Sequence, residues 1–445
     1  MEIPAAASDL SNLDDHYVRS DDEVRDTTLI GRSRRCCVGK KTMWIVLLGT
    51  AILTAAITSG IILLVTSLSG GKAKPAGGVK HIGKFDGLSR ADCHVSPETF
   101  AELSSMAHLG EINVSDPAEI IKYMDFTRMA KKFDRKYDSV AERHSAFLNF
   151  RRNHDIVKSH EHNKAATYTK DLNHFFDKDI KAVAAKLLHK IDVYNESNIS
   201  VTPTDTTATK ENQPIYATLK NYSVSAGYPP IGSKVNFEDI DWRRADAVTP
   251  VKDQGMCGSC WAFAAVGSVE SLLKRQKTDV RLSEQELVSC QLGNQGCNGG
   301  YSDYALNYIK FNGIHRSEEW PYLAADGKCV AHDGTKYYIK GYHAAKGRSV
   351  ANQLLVMGPT VVYIAVSEDL MHYSGGVFNG ECSDSELNHA VLLVGEGYDS
   401  TLKKRYWLLK NSWGTSWGED GYFRLERTNT PTDKCGVLSY GYVPY

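Results

Sequence analysis

A cysteine at the start of an apolar segment is the feature of this chain best suited to covalent chemistry. Cys260 stands in the run QGMCGSCWAF, which occupies residues 254–263. A cysteine attacks a carbonyl carbon as the thiolate, and its pKa falls at a helix N-terminus and beside a protonated imidazole. His389 and Asn411 follow at roughly 130 and 150 residues, in the order and spacing of a Cys-His-Asn catalyst. The arrangement predicts a thiol nucleophile that works with an imidazole.

Neighbouring side chains predict further roles in the same reaction. We expect His389 to supply the imidazolium and Asn411 to hydrogen-bond its far ring nitrogen, which fixes the tautomer. Gln254 can direct its amide at a developing oxyanion, next to the backbone N–H of Cys260. Trp413 is expected to cover the contact between Asn411 and His389 and to keep water from competing for it.

Each of these residues also has a simpler interpretation. Cys257 and Cys260 form a C-x-x-C pair, which elsewhere is a redox couple or half of a zinc site. The redox interpretation lacks a βαβ setting, and the zinc interpretation needs two further ligands, which Cys290 and Cys297 could supply. Taken alone, His389 would be an ordinary core histidine. The combination of residues favours catalysis.

Local patterns predict a two-part domain that would position these residues. The segment from Cys260 to about Lys274 is apolar on most faces and predicts a buried helix, and residues 283–286 predict a helix start with a capping box. A helical lobe followed by a β lobe implies a cleft, with Cys260 on one side and His389 on the other. Four later segments, rich in β-branched and aromatic residues, predict strands: residues 359–366, 389–394, 406–409 and 422–425.

An uncharged run lies far upstream of these elements. Residues 44–68, about 25 in number, carry no charge and are long enough to span a bilayer as a helix. The run is too long and too far from Met1 for a secretory signal. Arg and Lys are denser before the run, so everything after Gly70 should face a lumen or the exterior. We therefore expect a single-pass type II anchor, with the catalytic part in an acidic endolysosomal-type compartment.

Charge and cysteine content narrow the class further. The chain has 52 basic and 53 acidic residues, mixed throughout, so nothing indicates nucleic acid as a partner. Ten cysteines are too few for a disulfide-dominated scaffold. Cys36 and Cys37 lie beside the expected anchor as palmitoylated or unmodified thiols. Four Asn-x-Ser sequons lie on the expected translocated side, at Asn113, Asn195, Asn198 and Asn221.

Composition shifts predict six segments. Polar residues without apolar periodicity predict a disordered cytosolic tail, and Gly, Lys and Ala predict a stalk after the anchor. Apolar residues at three- and four-residue steps, such as Phe126, Phe147 and Phe150, predict helices over about 97–190. A stretch of Thr, Ser, Asn and Pro then predicts a linker suited to cleavage. The expected segments are a tail (1–42), an anchor (43–69), a stalk (70–96), a helical segment (97–195), a linker (196–234) and a second folded unit (235–445).

That second unit resembles the papain family of cysteine proteases. The resemblance implies an α+β fold with a helical lobe and a β-barrel-like lobe, and it implies the catalytic roles given above. It also implies that Gly299 and Gly300 leave backbone free to pair with an extended peptide. The landmarks in this sequence are DWR at 241–243, VTPVK at 248–252, CGSCWAF at 257–263, CNGG at 297–300, NHAV at 388–391 and KNSWG at 410–414.

The same resemblance assigns the cysteines and a substrate pocket. It leaves Cys260 free and implies the disulfides Cys257–Cys297, Cys290–Cys329 and Cys382–Cys435. By likeness, the substrate-binding residues include Gly299, Gly300 and Trp413 together with an S2 pocket that has no carboxylate at its end. Such a pocket predicts apolar P2 residues, such as Leu or Val, and weak acceptance of Arg. Its lining is Tyr301, Ser302, Tyr363, Leu387, Asn388 and Tyr440.

The segment before the linker resembles the inhibitory propeptide of cathepsin L-like members. Its long-helix motif is partly met: Glu142, Phe150 and Asn153 fit, whereas Ala146 and Glu161 replace the expected Arg and Asn. The run NHFFD matches the short motif that follows. The segment could also be an autonomous helical domain, but the resemblance favours a propeptide. An anchored chain of this kind is similar to the falcipain and bovipain type of apicomplexan enzymes, although the long falcipain insertion between His and Asn is absent.

The sequence therefore predicts a cysteine-type endopeptidase made as a type II membrane zymogen. It would hydrolyse peptide bonds through a thiolate–imidazolium pair and an acyl-enzyme. The expected partners are protein and peptide substrates, the chain's own propeptide as an intramolecular inhibitor, and the membrane; no cofactor and no metal are expected. The competing class is a non-catalytic binding protein that retains the papain fold, against which the intact Cys260, His389 and Asn411 argue.

Overall fold

The structure, a computed structural model, describes residues 96–191, 240–428 and 430–445. The expected tail, the expected anchor and nearly all of the expected stalk and linker lie outside the described residues. No helix in the described ranges is long and apolar enough to cross a membrane. Also outside are Cys36, Cys37, Cys93, Asn195, Asn198 and Asn221.

The N-terminal described region contains α1 (Pro97–Ala107), α2 (Pro117–Lys132), α3 (Val140–His160) and α4 (Ile180–Leu187). Each helix follows a Ser or Asp whose side chain accepts a backbone N–H of the first turn. These caps satisfy donors that a helix start leaves open. Closely packed aromatic rings hold the region together: Tyr123, Phe126, Phe147, Phe150 and Phe176 are buried.

The expectation of helices over about 97–190 is wrong between α3 and α4, whereas α4 itself agrees with it. Residues Tyr168–Lys170 form β1, which pairs antiparallel with β4 (Tyr373–Phe378) in the C-terminal half of the chain. Gly376 on β4 has φ +83°, and a Cβ there would lie 2.5 Å from the carbonyl oxygen of Thr167. Helical periodicity reports only local neighbours, so it could not reveal a strand whose partner is distant in sequence.

One buried amide joins the long helix to the segment after it. The Nδ2 of Asn153 donates to the carbonyl oxygens of Phe176 at 3.1 Å and Lys178 at 2.9 Å. The hydroxyl of Tyr137 donates to the Asp177 carboxylate at 3.1 Å. Ala146, which stands where Arg is expected, is buried in the helical core. The partly met motif thus still folds as one unit with the NHFFD run.

The helical lobe is built around α5 (Cys260–Arg275), with α6 (Glu284–Cys290) and α7 (Ser302–Asn312). Residues Cys260 to Leu273 of α5 are all buried, because α6, α7 and the β lobe surround the helix. Ser283 caps α6 by accepting the N–H of Glu286. The expected capping box is wrong in its second half, since the Glu286 carboxylate accepts the backbone N–H of His315 instead.

The β lobe has strands at all four predicted places and at further ones. Besides β1 and β4, the strands are β2 (Tyr342–Ala345), β3 (Thr360–Ile364), β5 (His389–Asp399), β6 (Lys404–Lys410), β7 (Tyr422–Glu426) and β8 (Gly441–Pro444). They form one sheet of eight strands in the order β1-β4-β7-β6-β5-β3-β8-β2, and only its β4–β7 pair is parallel. The core lies inside this curved sheet and is rich in Trp, Phe and Val. The remaining elements are α8 (Glu368–Met371) and short helical turns at Gly296–Asn298, Val350–Leu355 and Lys434–Gly436.

Candidate active site

Cys260 is the first residue of α5 and contacts the β lobe. It is the unbridged cysteine in the described part of the chain. The backbone N–H groups of Ala390 on β5, of Trp261 and of Cys260 itself are directed at its sulfur. Ser259 precedes the helix without forming a side-chain cap, and its hydroxyl lies 2.6 Å from the Tyr322 hydroxyl. The open helix start therefore offers its N–H groups to the thiol, which favours a thiolate.

His389 and Asn411 lie together on adjacent strands, one at the start of β5 and one directly after β6. The His389 Nε2 is 2.8 Å from the Asn411 Oδ1. Because an amide oxygen can only accept, Nε2 must donate, and Nδ1 carries the lone pair of the neutral ring. Nδ1 has no hydrogen-bond partner among the described residues. This tautomer leaves Nδ1 able to accept a proton from a thiol.

Trp413 covers this histidine. Its ring centroid lies 4.9 Å from that of His389, and the indole is buried. Phe175, from the NHFFD run, packs edge-on against Trp413 at 6.0 Å. Asn173 of the same run donates its Nδ2 to the carbonyl oxygen of Met371 at 2.8 Å. The N-terminal region thus docks directly on the residue that covers the His389 ring.

Gln254 is fully buried beside the nucleophile loop. Its Nε2 donates to the Cys257 carbonyl oxygen at 2.8 Å, and its Oε1 accepts the Ser412 hydroxyl at 2.7 Å. The backbone N–H of Gln254 donates to the Ser412 carbonyl oxygen at 2.8 Å. Ser412 directly follows Asn411, so the same segment orients both the predicted oxyanion donor and the predicted orienter of His389. The role of Ser412 was not predicted from the sequence.

The cleft is occupied by the chain's own segment at residues 189–191. The backbone N–H of His189 donates to the Asn388 carbonyl oxygen at 3.0 Å, and that of Ile191 donates to the Leu387 carbonyl oxygen at 2.8 Å. The His189 side chain lies against Gly258, where a Cβ would come within 2.0 Å of its Nε2. A substrate cannot enter while this segment is in place.

The predicted substrate-binding residues surround this segment to different extents. Gly299 has φ +108°, and a Cβ there would lie 2.8 Å from the Cβ of His189. Gly300 instead packs against Asn294, where a Cβ would lie 2.5 Å from Cγ. Ile191 belongs to the same buried cluster as Cys260. That cluster includes several of the predicted S2 residues, namely Tyr363, Leu387, Tyr301 and Tyr440.

Burial keeps the catalytic pair neutral in this covered form. It raises the pKa of the Cys260 thiol to about 11, although the surrounding N–H groups lower it. It lowers the pKa of His389 to about 4, although the hydrogen bond to Asn411 raises it. Taking a charge out of water disfavours the ionised form of either group. In this covered form, burial therefore favours the neutral thiol and the neutral imidazole.

The structure has the three disulfides that the resemblance implies: Cys257–Cys297, Cys290–Cys329 and Cys382–Cys435. Cys257 cannot form a redox pair with Cys260 while it is bridged to Cys297. Zinc binds thiolates, so the same bridges remove the ligands that the zinc interpretation needs. The C-x-x-C alternatives are thus excluded in this form.

A buried charge cluster next to the site was missed in the sequence. Lys252 donates its Nζ to Glu270 Oε1 at 2.7 Å and to Glu284 Oε1 at 2.6 Å. The Thr249 hydroxyl donates to Glu270 Oε2 at 2.6 Å and accepts from the Lys410 Nζ at 3.2 Å. Burial lowers the pKa of Lys410 to about 8. The sequence signal for this cluster is Lys410, a lysine at the end of an otherwise apolar strand pattern.

Comparisons with known proteins agree with this geometry. The papain family cysteine protease pattern matches residues 237–445, and the cathepsin propeptide inhibitor domain matches residues 126–180. A cysteine proteinase of Theileria annulata is 35% identical and covers 97% of this chain and 98% of its own length. Falcipain-2b of Plasmodium falciparum (isolate 3D7) is 35% identical over 75% of this chain and 70% of that protein.

Solved proforms share the architecture. The recombinant stem bromelain precursor aligns with a TM-score of 0.59 at 30% identity, over 73% of this chain and 98% of that chain. Procathepsin L 3 of the Tenebrio molitor larval midgut aligns with a TM-score of 0.58 at 31% identity, over 73% of this chain and 98% of that chain. Fold and site define a papain-like cysteine endopeptidase with an inhibitory propeptide. The chain belongs to the papain family of cysteine proteases.

Proposed function

We propose that this protease is a type II membrane zymogen whose released domain cleaves proteins through a Cys260 thiolate and a His389 imidazolium. One observation carries the catalytic part: an unbridged thiol at a helix start contacts the strand that carries a histidine bonded to an asparagine. Departure of residues 189–191 would open the cleft to water. With less burial, the ionised forms of both groups become more favourable.

The reaction follows from the atoms that each group presents. The thiolate of Cys260 adds to the carbonyl carbon of the scissile bond, and the charge moves to the carbonyl oxygen. The backbone N–H of Cys260 and the free amide hydrogen of Gln254 are suited to stabilise that oxyanion. The imidazolium of His389 gives its Nδ1 proton to the leaving amine as the C–N bond breaks, which leaves an acyl-enzyme.

Deacylation reuses the same imidazole. Neutral His389 takes a proton from a water at Nδ1, and the resulting hydroxide equivalent adds to the thioester carbon. The C–S bond then breaks, the acid product leaves, and Cys260 returns as the thiolate beside the imidazolium. Asn411 holds the Nε2–H throughout, so the ring keeps the tautomer and orientation that both steps need.

We propose an apolar P2 preference on the basis of the segment that fills the cleft. Ile191 is buried in one cluster with Cys260, Leu387 and Tyr363, and the backbone N–H of Ser302 donates to the Tyr363 hydroxyl at 2.9 Å. The apolar side chain of Ile191 therefore packs with residues that are predicted to line the S2 pocket. A charged P2 residue would lose hydration there without a partner.

We also propose the topology predicted from the sequence. The uncharged residues 44–68 and the denser positive charge before them support an N-terminus in the cytosol. The peptidase domain would then lie in the lumen or outside the cell, where disulfides persist. An acidic endolysosomal-type compartment suits a zymogen that is released by acid. Protease protection of the full-length chain in membranes should spare the C-terminal domain and expose the N-terminal tail.

The activity is tested on protein matured from the full-length chain. Mature wild-type protein should hydrolyse internal peptide bonds in a P2-varied library, with Leu or Val favoured over Arg by about tenfold or more. Matched Cys260→Ser protein, cleaved at the same boundary by an added protease, should show no turnover. A correctly cleaved wild-type domain that binds peptides without hydrolysing them would favour the binding-protein alternative. A preference for Arg would reject the proposed pocket.

A further inference from the structure

Three buried charges and the partly buried Lys252 join the two lobes behind the predicted catalytic residues, and the proposed reaction does not use them. Glu270 and Glu284 come from the helical lobe, Lys410 ends a strand of the β lobe, and Lys252 lies on the segment that leads to Gln254. Glu270 and Glu284 are nearly inaccessible to solvent, and Lys410 is 7% exposed. Two positive and two negative charges balance within this cluster, which is the condition under which buried charges are tolerated.

Two members of the cluster lie on elements that position predicted catalytic residues. Glu270 is on α5, whose first residue is Cys260. Lys410 is the residue directly before Asn411, and its backbone pairs with Leu392 on β5, the strand that begins at His389. A displacement of Lys410 must therefore move the end of the strand that orients the histidine.

Within this cluster, Lys410 and Glu270 are joined through the Thr249 hydroxyl. The Lys410 Nζ donates to the Thr249 Oγ1 at 3.2 Å, and this oxygen donates in turn to the Glu270 Oε2 at 2.6 Å. Thr249 is 1% exposed, so both hydrogen bonds are shielded from bulk water. Lys410, Glu270 and Asn411 also line one cavity between α5 and β5. In low dielectric surroundings such a chain of charge-assisted hydrogen bonds is stiff and strong.

We propose that Lys410 is a positioning residue for the peptidase reaction. Through hydrogen bonds by way of Thr249 and Glu270, its ammonium links the end of the strand next to Asn411 to the helix that begins at Cys260. This link holds the start of the helix that carries the thiol against the strand that carries the imidazole. This inference rests on the proposed function, because the two catalytic groups belong to different lobes.

The effect of losing Lys410 follows from its charge and its place. Removal of the ammonium leaves two buried carboxylates with one lysine, and the excess negative charge disfavours a thiolate on the same helix. Release of the strand end also loosens the orientation of His389. Misplacement by about 1 Å can cost about 100-fold in rate. Lys410→Met should therefore lower kcat/KM by about 10- to 100-fold through kcat, with KM changed less than about twofold.

The test measures kcat/KM and the pH profile of Cys260 alkylation by iodoacetamide in mature enzyme obtained from the full-length chain. Lys410→Met should move the acid limb of alkylation to higher pH, so that alkylation at pH 6 is about 3- to 10-fold slower. Lys410→Arg should restore the profile because it keeps the charge. Thr249→Val should lower kcat while leaving the acid limb in place, because it cuts the link without changing the charge.

Lys404→Met is the matched control. Lys404 lies at the other end of β6 and pairs with Glu426, away from the cleft. Lys404→Met should leave both kcat/KM and the pH profile of alkylation as in wild type. Wild-type rate and profile in Lys410→Met would overturn the proposal; if that variant does not fold, a wild-type kcat in Thr249→Val would do so. Alkylation does not require peptide hydrolysis. Its pH profile therefore still tests the link from Lys410 to Glu270 if the wild-type protein cleaves no peptide.

Discussion

Asn173 offers a quantitative test of how the propeptide holds the cleft closed. Its Nδ2 donates to the Met371 carbonyl oxygen at 2.8 Å, and its Oδ1 accepts the backbone N–H of Phe175 at 2.9 Å. Asn173→Ala removes both bonds in a buried setting. The Met371 oxygen keeps the Trp417 indole N–H at 3.1 Å, so the main loss is the unsatisfied amide of Phe175. An orphaned buried donor costs about 1–3 kcal/mol, which corresponds to an opening equilibrium about 5- to 150-fold larger.

The assay is the labelling rate of Cys260 in the full-length proform by an active-site epoxide at neutral pH, counted only on uncleaved chain. When reclosing is faster than labelling, this rate follows the opening equilibrium. Asn173→Ala should therefore label at least about fivefold faster than wild type. Asn113→Ala is the control, since Asn113 only accepts the N–H of Ser115 in an exposed turn. Equal labelling rates in wild type and Asn173→Ala would show that the two hydrogen bonds of Asn173 do not help to hold the cleft closed.

Three further predictions follow from the same contacts. Burial and, to a lesser extent, the nearby Lys170 lower the pKa of His372 from 6.5 to about 4. The carbonyl oxygen of His372 accepts a backbone N–H of the propeptide. Because the docked form disfavours a protonated His372, the propeptide contact is strongest above pH 6.5 and weakens as the pH falls towards 4. Self-processing of the proform should be faster at pH 5 than at pH 7.5, and His372→Phe should flatten that dependence; processing fastest above neutrality would count against it. Ile191→Asp should bring an unpaired charge into the apolar cluster around Cys260 and speed epoxide labelling of the proform, and unchanged labelling would place Ile191 elsewhere. Asn411→Ala should lower kcat by about 100-fold through loss of the ring orientation, and steady-state kinetics with kcat intact would remove its assigned role.

The family and the enzyme class could be predicted because they depend on short local motifs. Cys260 opens a helix as expected, and the strand pattern after residue 359 is confirmed by β3, β5, β6 and β7. Such segments have periodicity and composition that report their own conformation. The roles of the site residues remain predictions that the proposed experiments test.

The features that the sequence did not reveal are long-range contacts. The strand β1 exists only because β4 accepts it, and β4 itself contains two glycines that weaken its β signal. Lys410 and Glu270 are separated by most of the domain and meet through Thr249. No local pattern specifies which distant charge a buried lysine will find.

We expect departure of the propeptide to turn the neutral thiol and imidazole into an ion pair. The most direct measurement is the pH titration of the Cys260 thiolate by its ultraviolet absorbance, in proform and in mature enzyme. We expect a thiolate at neutral pH in the mature form only, and its loss in His389→Ala. A mature thiol that titrates near 8.5, as an ordinary cysteine does, would show that no such ion pair forms.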